Sequence, residues 1–365
     1  MDLGIFSYTN YTFSTVAAAK AACLNDIVNF LTNASYNQSQ NTFFNTAGNA
    51  IYRSSNCFDG WSVHDAAAGT NQKVIKCPYP TAMGAGKFCY VRISTNGSAA
   101  NMGENGTANT FVLVFDVFEA WNATTHVGTN GAGISNNWSE HYGFAFYPAN
   151  TSYQQFVLAA SKYVIYANMK GVYGDPNRWG FGNYYSSGTI SSVNSFAHAP
   201  MIVGIMPYAE GTGWHTAASN YPSIFATFTQ SKAHPFGKMA ISRYKQANGT
   251  DTSGGNTTNC ALDLSVTSTS NSPVGVPTTS IPNGTATAGN MLAPIVPYMP
   301  TLGARFQNAD FSFSESLADG LFMACSGTGA AFDTILSSAG KSHILFPCGS
   351  TSGGNNCLMF AIRIN

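Results

Sequence analysis

The residues of this chain that could do acid–base or metal chemistry are its 16 carboxylates and seven histidines. Glycoside hydrolysis needs two carboxylates about 5 to 10 Å apart, one of them with a raised pKa, but no carboxylate here stands in a recognisable motif. The histidines lack HxH or HxxxH spacing, and there is no Gly-x-Ser-x-Gly elbow. A Ser–His–Asp triad stays open, because its members meet only in the fold. The sequence therefore predicts a non-enzymatic protein without metal or cofactor, and a hydrolase is the weaker alternative.

Four aromatic residues in a Gly/Asn/Ser-rich setting could bind a sugar. Flat rings stack on sugar faces while neighbouring amides bond the hydroxyl groups. The commoner role of such residues is packing in the core or between subunits, and both interpretations stay open here. The residues are Trp179, Tyr184, Tyr185 and Trp214.

The composition favours an assembled particle over a dispersed protein. Only 9% of the residues are charged and the net charge is zero, so neutral polar groups must cover the surface and the chain is expected to associate. The segment Met1 to Phe6 has neither the basic nor the apolar region of a secretory signal. We therefore expect a protein that is made in the cytoplasm and becomes part of a virion, with other virion proteins and copies of itself as partners. A host-surface glycan joins them if the four aromatic residues bind sugar.

Two classes of partner are not expected. Basic and acidic residues are equal in number, at 16 each, so no excess positive charge is available to neutralise nucleic-acid phosphates. No apolar run approaches the roughly 18 residues of a membrane-spanning helix, so membrane insertion is not expected.

Two pairs of the eight cysteines are close enough in sequence to form disulfides across a hairpin. They are Cys77 with Cys89, and Cys348 with Cys357. The alternative is that all are reduced and buried, as is usual for a chain made in the cytoplasm. A virion leaves that reducing compartment after lysis, so both interpretations stay open.

One helix and many short strands are predicted to position these residues. Ser14 or Thr15 can cap an amphipathic helix of about 16 residues. Aromatic and β-branched runs separated by Gly, Asn and Pro turns predict antiparallel strands, and the run Phe111 to Phe118 is expected to be buried on both faces. The other predicted strands are 72–77, 87–94, 142–147, 155–160, 163–166, 201–206, 238–243 and short segments after Phe306.

The resulting fold class is mainly β: an antiparallel sandwich or barrel-like domain with an N-terminal arm, an amphipathic helix and a Pro/Gly/Thr-rich insertion. Residues 1–54 are expected to form a docking arm and helix, and 55–245 the main domain. Residues 246–301 are expected to be an extended insertion, and 302–365 strands that complete the β-domain.

The sequence also predicts the burial of three tryptophans and one possible contact across a turn of the main domain. Trp61, Trp121 and Trp138 are expected to be anchors buried between sheets. Glu119 and His126 could pair across the turn that follows Trp121, although two unpaired loop residues are the commoner case.

Several runs of the main domain resemble virion structural proteins of tailed bacteriophages. They are Gly60 to Asp65, Lys73 to Lys76, Tyr90 to Ile93, Phe118 to Asn130 and Tyr163 to Gly174, and they place the resemblance over about residues 58–185. The resemblance implies a structural role in a tail, baseplate or neck and supplies no catalytic residue. The alternatives are a glycan-binding adhesin or tail-fibre subunit and a capsid decoration protein.

Overall fold

The computed structural model describes a little under half of the chain. The described ranges are 1–8, 13–44, 50–53, 61–78, 88–97, 111–132, 144–146, 154–170, 201–206, 223–228, 238–241, 243–245, 251–253, 257–258, 292–294, 298–299, 304–305, 320–326, 335–338, 340–347 and 357–364.

Within these ranges the protein has one α-helix, α1 (Val16–Thr32), a short 3-10 turn (Gln38–Gln40) and many strands. The strands are β1 (Asp2–Tyr8), β2 (Ala50–Tyr52), β3 (Ser62–Gly69), β4 (Gln72–Pro78), β5 (Phe88–Gly97), β6 (Phe111–Asn122), β7 (Val127–Ala132), β8 (Phe144–Phe146), β9 (Gln154–Ala160), β10 (Val164–Lys170), β11 (Met201–Met206), β12 (Ser223–Phe228), β13 (Lys238–Ile241), β14 (Arg243–Lys245), β15 (Asp251–Ser253), β16 (Thr257–Thr258), β17 (Leu292–Pro294), β18 (Tyr298–Met299), β19 (Ala304–Arg305), β20 (Leu321–Ser326), β21 (Ile335–Ser338), β22 (Lys341–Pro347) and β23 (Cys357–Arg363).

The described strands form three larger antiparallel sheets and two ribbons, β14-β15 and β18-β19. The first sheet has the order β16-β13-β12-β11-β10-β9-β1-β2. The second has the order β3-β4-β5-β6-β7, with β8 paired to the beginning of β6. A side-chain hydrogen bond from β6 to β3, across the two strands between them, requires this sheet to be strongly curved, and we call it the curled sheet. The third, β17-β20-β23-β22-β21, contains the C-terminal strands. The predicted fold class, mainly β and antiparallel, is confirmed.

Helix α1 lies against the outer face of the curled sheet. Thr15 is its N-cap, and the Thr15 hydroxyl accepts a hydrogen bond from the Ala18 N–H at 3.1 Å. The Thr95 hydroxyl of β5 donates to the Lys20 carbonyl at 3.2 Å, which ties the helix to the sheet. On its buried side the Asp26 carboxylate accepts the N–H groups of Thr42 and Phe43 and so fixes the chain that follows the helix.

A cluster of phenylalanines fills the space between the helix, the first sheet and the curled sheet. The ring of Phe6 in β1 contacts Phe30 of α1, with centroids 5.5 Å apart. Phe156 of β9 meets Phe144 of β8 at 5.0 Å, which joins the two sheets directly. These rings are at most 1% exposed. Edge-to-face packing of this kind stabilises a core beyond the simple burial of area.

The first strand of the N-terminal segment is part of the core and not the projecting arm expected at the start of residues 1–54, while the docking of this segment on a partner stays a prediction. Strand β1 pairs with β9 on one side and β2 on the other. Leu3 and Phe6 are fully buried. The sequence misled because β1 is buried on both faces, so its apolar residues do not alternate regularly with polar ones.

The predicted helix and most predicted strands are present, with ends that differ by a few residues. All eight residues from Phe111 to Phe118 are buried, as expected of a strand covered on both faces. Strands β2, β3, β7 and β12 are among those that were not predicted. Most of the predicted insertion, 246–301, lies outside the described residues, and the boundaries of the four proposed segments stay predictions.

Candidate functional site

The predicted sugar-binding aromatics cannot be placed on this fold. Trp179, Tyr184, Tyr185 and Trp214 lie outside the described residues, as do Trp138 and Cys348. Cys357 is the first residue of β23, and the structure describes its backbone alone. The sugar-binding interpretation and the pairing of Cys348 with Cys357 therefore stay predictions.

Cys77 and Cys89 lie directly opposite each other on β4 and β5. Both side chains are fully buried, and both are unbonded thiols in this structure. The predicted neighbourhood of the two residues is therefore present, while the disulfide stays a prediction.

The most unusual polar cluster lies where the two ends of the curled sheet approach each other. Asp65 belongs to β3 and Trp121 to β6, two strands that β4 and β5 separate in the sheet. Nevertheless the Trp121 indole Nε1 donates to the Asp65 carboxylate at 2.8 Å, and His126 Nδ1 lies 2.8 Å from the same oxygen, Oδ2. Since neighbouring strands are about 4.8 Å apart, this contact requires the sheet to curl around its inner face. We call Asp65, Trp121 and His126 the clasp.

A bulge in β3 directs Asp65 towards this inner face. Val63 is opposite Ile75, but Asp65 is opposite Val74, so His64 is an extra residue in the strand. A bulge of this kind re-aims the side chains that follow it. The Asp65 carboxylate also accepts the N–H of Ala67 at 2.9 Å, which fixes its orientation.

The turn between β6 and β7 presents His126. The Asn122 side-chain oxygen accepts the N–H groups of Thr124 and Thr125 at 2.8 and 3.1 Å and thereby closes the turn. His126 itself has a φ of 56°, a left-handed conformation that is uncommon for residues other than glycine. Its imidazole is 40% exposed, whereas the side chain of Asp65 is 3% exposed. The clasp is therefore a buried carboxylate covered by a half-exposed histidine.

The hydrogen bonds of the clasp favour the ionised form of Asp65. Burial raises the pKa of this carboxyl, but the bonds from His126, Trp121 and the Ala67 N–H lower the pKa by more. The net result is a pKa below its ordinary value. Asp65 is thus a carboxylate at neutral pH, able to accept from both aromatic partners.

Comparison of the chain with protein-family models and with curated proteins finds no match. The site must therefore be interpreted from its own chemistry.

A partly buried ion pair lies beside the clasp on the inner face. Arg92 Nε and Nη2 donate to Asp116 Oδ2 at 2.8 and 2.5 Å, and Asp116 is 1% exposed. The guanidinium also lies 5.6 Å from the centre of the Phe118 ring. The Phe118 ring packs against Trp121 at 5.1 Å, so the ion pair and the clasp support each other through one aromatic contact.

Half-buried side chains continue the inner face towards the other end of β4 and β5. The His64 and Tyr90 rings are 4.8 Å apart, and Lys76 Nζ lies 4.6 Å from the centre of the Phe88 ring. The inner face therefore combines aromatic surface with a few fixed polar groups.

The described residues assemble no catalytic centre around the clasp. Among them, no hydrogen bond joins His126 to a Ser or Thr hydroxyl, so the Asp–His pair is not extended to a Ser–His–Asp triad there. In the same part of the chain no three His, Cys, Asp or Glu side chains come together as metal ligands. None of its helices has both the length and the apolar character to cross a membrane.

The carboxylate that pairs with His126 is Asp65 and not Glu119, whose pairing with His126 was the less favoured interpretation of this turn. Glu119 lies three residues before Asn122 on β6, whereas Asp65 reaches His126 from the edge strand β3. Sequence reasoning missed Asp65 because the bulge at His64 breaks the alternation of β3. Of the predicted tryptophan anchors, Trp61 and Trp121 are confirmed as buried, at 3% and 7% exposure.

Proposed function

We propose that this chain is a non-enzymatic structural subunit of a tailed-phage virion, in the tail or baseplate, where it packs against other virion proteins. The observation that carries the proposal is the pair of edges at which the described strands of the curled sheet end without a further pairing strand. Among the described strands, β3 pairs with β4 alone and β7 with β6 alone, so each is an edge strand. Each also carries an exposed valine, Val63 at 45% and Val127 at 55%.

The edge strand β7 lacks the usual protection against association. Natural sheets protect exposed edges with charged or Pro residues, very short strands, β-bulges or inward-pointing charges. Strand β7 reads VGTNGA, without a charged residue or Pro. Strand β3 also lacks Lys, Arg and Pro, but its bulge at His64 and its inward-pointing Asp65 give it part of that protection. The edge of β7 is therefore the one best suited to being covered by another chain in the assembled state, because an open edge pairs readily with a further strand.

The low charge of the chain supports the same role. With 9% charged residues and no net charge, little repulsion opposes close packing of copies or partners. The resemblance of about residues 58–185 to virion proteins of tailed phages supports the choice of particle. The clasp fits a structural role as well, since its carboxylate is buried and its donors come from the same chain. The glycan-binding alternative rests on Trp179, Tyr184, Tyr185 and Trp214, outside the described residues.

Quantitative mass spectrometry of purified particles tests the proposal. Particles of the phage that encodes the chain are washed in high salt and mild urea, and the chain is quantified against the most abundant virion protein. We expect a constant copy number per particle that survives the washes. A chain that is present in the lysate and absent from washed particles would overturn the proposal.

A further inference from the structure

Two cysteines face each other on β4 and β5, and the proposed structural role gives them no function. Cys77 and Cys89 occupy one register position, and the neighbouring pair Pro78 with Phe88 is the last of this ladder. Both side chains belong to the buried cluster on the outer face of the curled sheet. Two thiols are therefore held side by side near the end of a strand pair.

We propose that Cys77 and Cys89 are a modification site, a dithiol that small-molecule disulfides oxidise to a cross-strand disulfide. Directly opposite residues of an antiparallel pair have Cα atoms about 4.5 or 5.5 Å apart, and disulfides span about 4.4 to 6.8 Å. The bond therefore needs little movement of the backbone. This inference goes beyond the proposed function and does not depend on it, since oxidation is set by the redox state of the surroundings.

Burial sets the rate of this reaction. Burial raises the pKa of the Cys77 thiol, and the adjacent Cys89 side chain raises it further, so the thiolate that attacks a disulfide is scarce in the closed sheet. Access requires the end of the β4-β5 pair to open. Pro78 has no N–H to donate to the ladder, so pairing is weakest there. The site is thus protected but reachable.

The chemistry balances with a glutathione-type disulfide as the oxidant. The thiolate of one cysteine attacks the small disulfide, forms a mixed disulfide and releases one small thiol. The second cysteine then attacks the protein sulfur of that mixed disulfide, so the Cys77–Cys89 bond forms and the second small thiol leaves. The two cysteines lose two protons and two electrons, and the small disulfide gains them.

Cys23 provides a matched control in the same molecule. It is also a fully buried free thiol, on the α1 side of the core, and burial raises the pKa of its thiol as well. Cys23 lies on helix α1, and so, unlike Cys77 and Cys89, it has no facing cysteine on a paired strand among the described residues. Cys23 therefore matches the dithiol in burial and differs from it in lacking a facing thiol.

Peptide mapping of the full chain tests the proposal. The protein is incubated with oxidised glutathione, its remaining free thiols are alkylated in denaturant, and it is digested with trypsin. Cleavage after Lys76, Lys87 and Arg92 places Cys77 in peptide 77–87 and Cys89 in peptide 88–92. We expect these two peptides as one linked species, converted to two on reduction, with Cys23 alkylated. Separate alkylated or glutathionylated peptides, or links to other cysteines, would overturn the proposal.

Thermal unfolding gives a second measurement on the same samples. Closing a loop of this size should raise the unfolding temperature of oxidised protein by roughly 3–5 °C over reduced protein. The shift should persist in Cys23→Ala and disappear in Cys89→Ala. A shift of the same size in Cys89→Ala would contradict the assignment, and the peptide map of the unaltered chain decides the matter if a variant does not fold.

Discussion

The indole of Trp121 donates a 2.8 Å hydrogen bond to the carboxylate of Asp65, although β4 and β5 lie between the strands that carry these two residues. The bond joins the edge strand β3 to β6, two strands that the backbone ladder of the sheet does not pair. His126 lies against the same carboxylate oxygen and covers it from solvent. The clasp therefore holds the curvature that positions the edges β3 and β7.

Removing the charge of the clasp should destabilise the fold. The Asp65 carboxylate has two oxygens for three partners, namely the Trp121 indole, the His126 ring and the Ala67 N–H. Asn has a single side-chain oxygen, so in Asp65→Asn at least one of these three groups loses its partner. We expect the free energy of unfolding to fall by about 1–3 kcal/mol, measured by urea denaturation.

Glu119→Gln is the matched control, because Glu119 is the carboxylate that spacing alone would pair with His126. Its replacement should cost clearly less than that of Asp65. Equal losses in the two variants would show that Asp65 is not the main carboxylate partner of His126.

The clasp should also make stability depend on acid pH. The pKa of Asp65 is lowered in the folded state, so its contribution is present above the ordinary pKa of about 3.9 and is lost as the pH falls through the folded value. The stability advantage of the unaltered protein over Asp65→Asn should therefore shrink below about pH 4, as measured by urea midpoints between pH 2.5 and 7.

Asp26 should show the opposite trend. Burial raises the pKa of this carboxyl despite the hydrogen bonds from Phe43 and Thr42, which lower it. Its favourable contribution is therefore greatest below the ordinary pKa and declines as the pH rises through the folded value. If the Asp26→Asn and Asp65→Asn difference curves had the same slope, the two electrostatic assignments would be wrong.

Gly128 should not tolerate a side chain. A Cβ atom there would lie 2.2 Å from Phe118 Cδ1, and the Phe118 ring is buried against Trp121 and cannot withdraw. Gly128→Ala should cost about 1–3 kcal/mol of unfolding free energy. Gly69→Ala is the control, because its Cβ would meet only the movable end of Gln72 at 3.3 Å. A larger loss at Gly69 than at Gly128 would contradict the described packing.

The N-terminal strand should behave as core. Phe6→Ala removes a fully buried ring that contacts Phe30, Phe44 and Phe156, and should cost about 3–5 kcal/mol of unfolding free energy. Phe13→Ala removes a partly buried ring and should cost less. A negligible loss at Phe6, measured by thermal or urea unfolding, would restore the interpretation of this segment as a projecting arm.

Local patterns in the sequence predicted those parts of the fold that depend on neighbouring residues. Helix α1 was predicted from its cap at Thr15 and its apolar spacing, and strand β6 from its aromatic run, because these signals lie within the element itself. The arm was wrong because burial of β1 on both faces is a property of its partners β2 and β9, not of its own residues.

The clasp could not be predicted for a related reason. Asp65 and His126 are 61 positions apart in the chain, and their contact depends on a bulge at His64 and on the curl of the whole sheet. The opposed pair Cys77 and Cys89 was within reach of sequence reasoning, since a hairpin brings such residues together locally.

The most direct measurement of the central claim is a cryo-electron microscopy map of the intact particle with this chain located in it. The structural account predicts that the chain occupies a repeated position in the tail or baseplate, with β3 and β7 covered and Val63 and Val127 buried against neighbouring subunits. A particle that lacks the chain, or one in which both edges face solvent, would contradict the account.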